Sequence, residues 1–357
     1  MRIVLIGDAE SPHLLKWARA LATQPGVELW AASSRGFLAG FDAVLPVSRR
    51  LALAAQVRHE GGNFALLGKL PALGRWLRAV DPDWLHAHYL TSHGTLAWLA
   101  KRWWRLRARI VGSAWGSDIL VAPQRSPVHR WLTRRVLRAC ALTTSDSAHM
   151  ARRMTELGAR EVMTFPFGLD ALPAEPVGKQ PWLFFANRGL EALYRPQRVL
   201  ALFAELARER PAARLVVANG GSCSAALRAQ AIELGLADRI EFTGRLDAAT
   251  QAQHYARAQW YLSQPESDSV SVSVLEAMAN GCIPLLSDLP ANRELVRHGE
   301  NGLIIGDDDG LAAAALEPLL AVAHAIARSN RDWVAAHALF ARAVERFLQR
   351  LREVDGR

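Results

Sequence analysis

Short apolar runs alternate with longer amphipathic stretches along most of this 357-residue chain. Runs that are apolar almost throughout predict strands buried on both faces, and an apolar period of three to four residues predicts helices. The predicted strands are residues 3–6, 29–32, 83–89, 110–113, 141–146, 182–186, 215–218, 239–246, 260–262 and 283–286. The helices predicted between them include residues 14–24, 149–157, 225–234 and 270–280. This alternation indicates an α/β fold with parallel sheets, whose ligands bind beyond the carboxyl ends of the strands.

Chain length and one proline-rich stretch predict two domains. A chain of 357 residues has room for two domains of ordinary size, each with its own core. Pro173, Pro176 and Pro181 punctuate residues 171–181, a composition typical of a linker. We therefore predict domains over residues 1–172 and 173–330, followed by a terminal segment, residues 331–357, with a helix over residues 332–352.

Cysteine content and hydropathy favour a protein of the reducing cytoplasm. The three cysteines (Cys140, Cys223 and Cys282) are odd in number and lack metal-like spacing, so we expect buried thiols rather than disulfides. Residues 2–7 are typical of a buried first strand ending in a glycine turn, not of a secretion signal. The longest apolar stretch, residues 311–327, is interrupted by a glutamate and a proline, and it predicts a packing helix rather than a membrane span.

Basic charge is concentrated in the first half of the chain. Residues 1–170 contain 23 Lys and Arg against 12 Asp and Glu, whereas the remainder contains 20 against 22. The excess is densest in residues 101–109 and 130–138, where arginines are interleaved with Trp and Leu. This composition suits an anionic membrane surface, and solvated helix faces are the alternative. No nucleic-acid-binding module is visible, so we expect no nucleic-acid partner.

The densest candidate chemistry lies in residues 265–302. A loop rich in Ser and Asp leads there into the predicted helix, whose N-cap is Ser269 or Ser271. The amino terminus of such a helix offers backbone N–H groups to an anion. Asp268 and Glu276 bracket this terminus, and carboxylates accept hydrogen bonds from sugar hydroxyls better than they contact phosphate. The segment therefore predicts a site for a phosphorylated sugar compound.

This segment resembles the signature of retaining glycosyltransferases of family 4. The family has Glu, seven residues, then Glu-Ala-Met-Ala-x-Gly-x-Pro, and later an Asn-Gly pair. This chain has Asp268, seven residues, then Glu-Ala-Met-Ala-Asn-Gly-Cys-Ile-Pro beginning at Glu276, and Asn-Gly at 301–302. It departs from the family in its first acid, which is Asp, and in having Ser-Val-Ser at 269–271 where the family has Gly-Phe-Gly.

The resemblance implies the GT-B fold, in which two facing Rossmann-like domains with parallel sheets enclose an interdomain cleft. The N-terminal domain is then expected to bind the acceptor, and the C-terminal domain is expected to bind a nucleotide sugar. The terminal helix is expected to cross back onto the N-terminal domain.

The same resemblance implies a clamp for the donor diphosphate. The family has Gly-Arg-Leu and then, about five residues later, Lys; here Arg188 matches the first cation, and Arg195 is the candidate for the second, shifted by about two residues. Two fixed guanidinium groups would stabilise charge on the leaving diphosphate without a metal. Exposed loop arginines are the alternative.

Further contacts to the donor are implied around the signature. Glu276 is expected to accept the ribose hydroxyls, and Asp268 the hydroxyls of the transferred sugar. The strand end at Gly244 is expected to line the nucleobase pocket. Residues expected to face the phosphates through their amides are Ser269, Val270, Ser271 and Val272.

Candidates in the first domain are expected on the acceptor side of the cleft. Ser11 and His13 lie in the first loop, where a helix N-cap is the alternative, and His88 ends a histidine-rich strand that resembles the family's cleft wall. Trp115 stands where the family commonly has the His of His-Gly-x-Asp, so the polar contact of that His is either missing or replaced by stacking. Asp118 either accepts sugar hydroxyls or caps a helix.

Neither a metal nor a bound cofactor is expected. His86, His88 and His93 fall within eight residues, but their spacing crosses a strand-to-loop junction with no carboxylate or cysteine nearby. Residues 307–309, three aspartates, predict a solvated turn. The first strand is followed by a single glycine, which lacks the dinucleotide fingerprint. The expected small-molecule partner is a UDP- or GDP-linked sugar.

The residues and the resemblance together predict a retaining glycosyltransferase that moves a sugar from a nucleotide diphosphate sugar to a hydroxyl acceptor. A glycan or lipid-linked acceptor and a role in cell-surface polysaccharide, lipopolysaccharide or glycolipid synthesis are expected, with the protein cytoplasmic or peripheral on the inner face of the cytoplasmic membrane. One alternative is a sugar-nucleotide epimerase of the same fold, which would turn over donor without acceptor. Another is a silent sugar-nucleotide-binding subunit, suggested by Trp115 and Asp268.

Overall fold

The computed structural model describes residues 1–55, 64–175 and 178–356. By compactness the chain divides into unit 1, residues 1–165 together with residues 341–357, and unit 2, residues 166–340. The predicted linker prolines lie inside unit 2, apart from Pro176, which falls outside the described residues.

Unit 1 contains a seven-stranded parallel sheet in the order β3-β2-β1-β4-β5-β6-β7. Its strands are β1 (Arg2–Ala9), β2 (Glu28–Phe37), β3 (Arg50–Ala52), β4 (Trp84–His88), β5 (Arg109–Ser113), β6 (Leu142–Ser145) and β7 (Val162–Thr164). Its first helices are α1 (Pro12–Ala22), α2 (Phe64–Leu67), α3 (Leu70–Val80), α4 (Thr95–Trp103), α5 (Ser117–Leu120), α6 (Ala122–Arg125), α7 (Pro127–Ala139) and α8 (Ala148–Glu156).

Unit 2 contains a six-stranded parallel sheet in the order β10-β9-β8-β11-β12-β13. Its strands are β8 (Gln180–Ala186), β9 (Arg214–Ala218), β10 (Ile240–Gly244), β11 (Ala258–Ser263), β12 (Ile283–Ser287) and β13 (Leu303–Ile305). Its helices are α9 (Pro196–Glu209), α10 (Ser224–Glu233), α11 (Ala248–Arg257), α12 (Val272–Ala279), α13 (Pro290–Arg293), α14 (Ala313–Ala321) and α15 (Ala323–His337).

The central strands are mostly apolar, because helices cover both faces of each sheet. In β8, Phe184 packs into the core that contains α9, α10 and α14, whereas Leu183 and Phe185 pack into the core that contains α11 and α12. The order of each sheet reverses once, between β1 and β4 in unit 1 and between β8 and β11 in unit 2. Ligands of doubly wound sheets bind at the carboxyl ends of the strands that flank such a reversal.

The last helix, α16 (Phe340–Asp355), packs within unit 1 from Ala341 onward. The predicted helix over residues 332–352 is wrong in one respect, because the structure divides it between α15 and α16. The break follows from pairing: Leu339 forms a parallel bridge with Leu169, which takes the backbone out of the helix. Gly168 permits this approach, since a Cβ there would lie 1.9 Å from the carbonyl oxygen of Ala338.

Two further predictions need correction. The single helix predicted over residues 311–327 is two helices, α14 and α15, because Val322 adopts a non-helical backbone with φ −115° and ψ 19°. Cys140 and Cys282 are buried as predicted, whereas Cys223 is partly exposed because it lies in the turn before α10. Within the described ranges, no helix combines the length and apolarity needed to cross a bilayer.

Candidate functional site

Two of the predicted donor residues follow the strands that flank the reversal in unit 2. Arg188 follows β8, and Asp268 lies in the loop after β11. Nη2 of Arg188 donates to Oδ2 of Asp268 at 2.7 Å, and Nη1 donates to Oγ of Ser271. The guanidinium also lies over the ring of Tyr194, with Cζ 4.3 Å from the ring centroid. Arg188, Asp268 and Ser271 are therefore brought together by direct contact.

The Arg188–Asp268 ion pair is largely removed from water, with 18% and 22% of the two side chains exposed. Burial raises the pKa of the Asp268 carboxyl, although the Arg188 guanidinium opposes the shift. Burial by itself would lower the pKa of Arg188, but the Asp268 carboxylate beside it raises that pKa above its ordinary value. A phosphate group that approaches Arg188 would therefore compete with Asp268 for the same N–H donors.

Helix α12 begins beside this ion pair. Ser271 is its N-cap in an extended conformation, but its hydroxyl makes no capping bond and instead accepts from Arg188. The first backbone amides of a helix have no acceptor within the helix, so an anion at this terminus would find donors there. Ser269 is buried and its amide bonds to Oδ1 of Asp268, whereas the side chain of Val270 packs in the core. Val272, the first residue of α12, is partly buried.

Glu276 lies one turn into α12 and is held by two side chains of α11. Its Oε2 accepts from the hydroxyl of Tyr255 at 3.0 Å and from Nε2 of Gln251 at 3.3 Å. The Tyr255 hydroxyl in turn accepts from Nδ2 of Asn187, the residue before Arg188, at 2.8 Å. Glu276 and Arg188 thus belong to one connected polar site.

Arg195, the candidate second cation, is bound by the chain itself. Its guanidinium donates to the backbone carbonyls of Gln264 and Pro265 at 2.9 and 3.2 Å and to Oδ1 of Asp307 at 2.6 Å. Asp307 belongs to the turn predicted to be solvated and is 75% exposed. Arg195 therefore stabilises the start of the loop that carries Asp268. To contact a phosphate, Arg195 would have to exchange one of these hydrogen-bond partners.

Gly244, predicted to line the nucleobase pocket, ends the edge strand β10. Its φ is +70°, and a Cβ there would meet nothing within 4 Å. Its carbonyl accepts from the amide of Asn219 at 2.6 Å. Gly244 and Arg188 both lie at the carboxyl ends of their strands. They are two strands apart, because β9 lies between β10 and β8.

In unit 1, three of the predicted acceptor-side residues meet at the carboxyl ends of β1, β4 and β5. The rings of His13 and Trp115 are 4.8 Å apart between centroids, and those of His88 and Trp115 are 5.8 Å apart. Trp115 is partly exposed, His13 is exposed and His88 is buried. Trp115, which stands where the family has a histidine, thus contacts both histidine rings at tilted angles of 42° and 44°.

The three histidines of the β4 region are buried and neutral. Burial lowers the pKa of His86 to about 3 and that of His93 to about 4, and it lowers the pKa of His88 well below its ordinary value. His86 bonds to the Ser113 hydroxyl at 2.7 Å, whereas neither ring nitrogen of His88 has a hydrogen-bond partner. In the part of the chain that the structure describes, no three His, Cys, Asp or Glu side chains form a group that could hold a metal ion.

The remaining predicted residues of unit 1 stabilise local backbone. Ser11 is the N-cap of α1 and accepts from the amide of His13 at 3.3 Å. Asp118 is fully buried and accepts from the amides of Leu90 at 2.7 Å and Trp115 at 2.9 Å. Burial raises the pKa of Asp118 to about 6. For Ser11 the helix-cap alternative describes the observed contact. Asp118 lies inside α5, whose N-cap is Gly116, and it joins the loops after β4 and β5.

The sequence analysis did not identify three residues that contact the predicted donor residues: Asn187, Tyr194 and Tyr255. Tyr194 stacks on Arg188, and the other two connect to Glu276. Asn187 carried a signal, since it stands where the family pattern has the glycine of Gly-Arg-Leu. The two tyrosines carried none, because an isolated aromatic residue in a helix or turn usually belongs to the core.

Family models match both halves of the chain. The family model described as "Glycosyl transferases group 1" matches residues 173–322, and the model "Glycosyl transferase 4-like" matches residues 2–147. An α-monoglucosyldiacylglycerol synthase of Streptococcus pneumoniae is 30% identical over 35% of this chain and 28% of its own length. An N-acetyl-α-D-glucosaminyl L-malate synthase of Bacillus anthracis is 26% identical over 66% of this chain and 65% of its own. The chain thus matches less than two thirds of the length of these curated relatives.

Solved structures share the fold over nearly the whole chain. A sucrose-phosphate synthase from Thermosynechococcus elongatus superposes with a TM-score of 0.79 at 15% identity, covering 99% of each chain. HepE of Anabaena, solved in complex with UDP, gives a TM-score of 0.77 at 14% identity, covering 99% of this chain and 100% of its own. With two parallel Rossmann-like sheets and family models matching both halves, the chain belongs to the group 1 glycosyltransferases of the GT-B fold.

Proposed function

We propose that this protein is a retaining glycosyltransferase that moves a sugar from a nucleotide diphosphate sugar to a hydroxyl acceptor. The observation that carries the proposal is the contact of Arg188 with Asp268 and Ser271 at the amino terminus of α12, beside the reversal of the unit 2 sheet. A guanidinium and a helix terminus together form an anion site, and neighbouring carboxylates suit sugar hydroxyls.

In the proposed reaction Arg188 binds the donor diphosphate and stabilises the negative charge that grows on it as the bond to the sugar breaks. Arg195 contributes if the diphosphate replaces its contact with Asp307. Asp268 accepts hydrogen bonds from the transferred sugar, and Glu276 accepts them from the ribose. No metal takes part in this scheme.

Retention follows if the acceptor attacks the face from which the diphosphate leaves. The acceptor oxygen then forms its bond to the anomeric carbon as the bond to the diphosphate oxygen breaks, and the acceptor's proton passes to that leaving oxygen. Such a step needs no enzymic nucleophile, and its main requirement is a fixed, positively charged diphosphate site.

The relatives support a glycan or lipid-linked acceptor and a role in glycolipid or cell-surface polysaccharide synthesis. They include the α-monoglucosyldiacylglycerol synthase of S. pneumoniae and a lipopolysaccharide core biosynthesis mannosyltransferase of Rhizobium leguminosarum, which is 33% identical over 28% of this chain. HepE binds UDP, which favours a UDP-linked donor, although a GDP-linked donor suits the same site. We place the protein in the cytoplasm, peripheral on the inner face of the membrane.

The first test is a thermal-shift panel of UDP, GDP, ADP and their common sugars. A ligand at 100 times its dissociation constant adds about 2.7 kcal/mol to the free energy of unfolding, which is readily measured. One nucleotide class should stabilise the parent protein but not Arg188→Ala, and the variant should lose about 100-fold or more in transfer rate.

Arg210→Ala is the matched control. Arg210 also stacks on an aromatic ring, that of Trp182, and pairs with Glu317, but it lies at the far end of α9. We expect this variant to keep both binding and transfer. Unchanged turnover in Arg188→Ala would refute the diphosphate clamp, donor turnover without acceptor would indicate an epimerase, and binding without turnover would indicate a silent subunit.

A further inference from the structure

A buried hydrogen-bond chain joins the residue before Arg188 to Glu276. The hydroxyl of Tyr261 donates to Oδ1 of Asn187 at 2.8 Å, and Nδ2 of Asn187 donates to the hydroxyl of Tyr255 at 2.8 Å. The Tyr255 hydroxyl lies 3.0 Å from Oε2 of Glu276. Asn187, Tyr255 and Tyr261 expose 5% of their surface or less, so these three members of the hydrogen-bond chain are shielded from water, and Glu276 at its end is partly buried.

Chemistry determines the direction of donation along this chain. Each tyrosine hydroxyl has one proton, and burial raises the pKa of both Tyr255 and Tyr261, so both keep it. The Tyr261 hydroxyl donates a hydrogen bond to Oδ1 of Asn187. This bond orients the amide so that Nδ2 faces Tyr255. Tyr255 must therefore donate onward into α12, to Oε2 of Glu276 or to the carbonyl of Ser273 at 3.1 Å.

We propose that Asn187 and Tyr255 are positioning residues of the donor site, which hold the Glu276 carboxylate where it accepts the ribose hydroxyls of the donor nucleotide. The inference rests on the proposed function. Since Asn187 directly precedes Arg188, the same chain sets the spacing between the ribose contact and the diphosphate contact. The family pattern has glycine at position 187, so this link depends on the asparagine of the present sequence.

The test compares a ribonucleoside diphosphate with its 2′,3′-dideoxy counterpart, using UDP or GDP, whichever binds, in isothermal titration calorimetry. The parent protein should bind the ribonucleotide about tenfold tighter or more, as expected for hydrogen bonds to a charged acceptor. Tyr255→Phe should reduce this preference to about threefold or less and should leave the affinity for the dideoxy compound unchanged. In Tyr255→Phe the KM for the donor should rise by the factor by which the preference for the ribonucleotide falls, while kcat changes little.

Tyr89→Phe is the matched control, because Tyr89 lies in unit 1 and its hydroxyl pairs with Ser117 at 3.0 Å, outside the chain. It should retain the full preference for the ribonucleotide. If Tyr255→Phe does not fold, Asn187→Ala breaks the same chain at its other link, and the same loss of preference is expected.

Glu276→Gln separates the two levels of the proposal. If Glu276→Gln and the parent show the same preference for the ribonucleotide, the ribose contact of the proposed function is wrong. The positioning role of Asn187 and Tyr255 is then wrong as well. If Glu276→Gln loses the preference but Tyr255→Phe and Asn187→Ala keep it, the ribose contact stands and the positioning inference is overturned.

Discussion

Arg188 has a guanidinium held by three groups of different chemistry: a carboxylate, a hydroxyl and an aromatic face. The carboxylate of Asp268 balances its charge, the hydroxyl of Ser271 takes a second N–H, and the ring of Tyr194 covers one side of the plane. Such a guanidinium loses little side-chain entropy when a diphosphate binds, because it is already ordered. In Arg188→Ala the Asp268 carboxyl can take up a proton rather than remain a buried lone charge, so the variant should fold.

The buried histidines make the stability of unit 1 depend on pH. His86, His88 and His93 stay neutral in the folded state, whereas in the unfolded chain they gain protons below about pH 6.5. The contribution of these neutral histidines to the free energy of unfolding is therefore fully present above pH 6.5 and falls as the pH drops toward 4. Each histidine that protonates only on unfolding lowers the free energy of unfolding by up to about 1.4 kcal/mol per pH unit.

Denaturant unfolding of the parent at pH 7.5 and pH 5.5 measures this effect, with unit 2 as the internal control. None of the described histidines of unit 2 is buried, so its transition should move less. Equal shifts of both transitions would contradict the prediction.

At the scale of elements, two helices connect sequence motifs to the sites. Helix α12 presents its amino terminus next to the Arg188–Asp268 pair, while its apolar side packs into the unit 2 core. Helix α16 packs in unit 1, where Arg350 forms a two-pronged ion pair with Glu161 and Phe347 lies 5.1 Å from the rings of both Trp17 and His86. Through Phe347, the terminal helix thus packs against His86 of β4.

Phe347→Ala should strongly destabilise unit 1. The side chain is fully buried, and its removal leaves a cavity beside Trp17 and His86 that costs about 3–5 kcal/mol of unfolding free energy. Val47→Ala, at a position 76% exposed in the same unit, should change stability by less than about 0.5 kcal/mol. Urea unfolding followed by tryptophan fluorescence measures both, and a loss below about 1 kcal/mol in Phe347→Ala would refute close packing of α16.

At the scale of the whole molecule, charge is the property that differs between the halves of the chain. The basic excess of residues 1–170 contrasts with the near balance of the remainder. The structure leaves many of these side chains exposed on α7 and at the end of α4, together with Trp103, 63% exposed, and Trp131, 58% exposed. Exposed Trp among arginines supports the proposed membrane surface, because both residue types favour an anionic interface.

Vesicle flotation tests this surface. The protein should float with vesicles that contain anionic lipid and not with neutral ones, and binding should weaken with salt because the attraction is electrostatic. The double variant Trp103→Ala, Trp131→Ala should bind anionic vesicles about tenfold or more weakly. Ile232→Ala, at a position 68% exposed in unit 2, is the control and should bind normally. Equal binding of the double variant and the control would leave the two segments as ordinary solvated helix faces.

The sequence by itself determined the class of fold, most of the strands and the family signature. Strands such as β8 and β12 were predictable because a strand buried on both faces is apolar at most positions. Asp268 and Glu276 were found by their spacing at the amino terminus of α12. Each of these signals is local in the chain.

Only the tertiary structure decided which side chains meet. Arg188 and Asp268 are 80 positions apart, and Asn187 and Tyr255 are 68 apart. Such pairs depend on which strands lie next to each other in the sheet, and β8 and β11 are neighbours only because the strand order reverses between them. The same reasoning explains the break before α16, which arises from the bridge between Leu169 and Leu339 rather than from a helix-breaking residue. Local pattern specifies elements, whereas the contacts of a site are specified by sheet order, which no local pattern encodes.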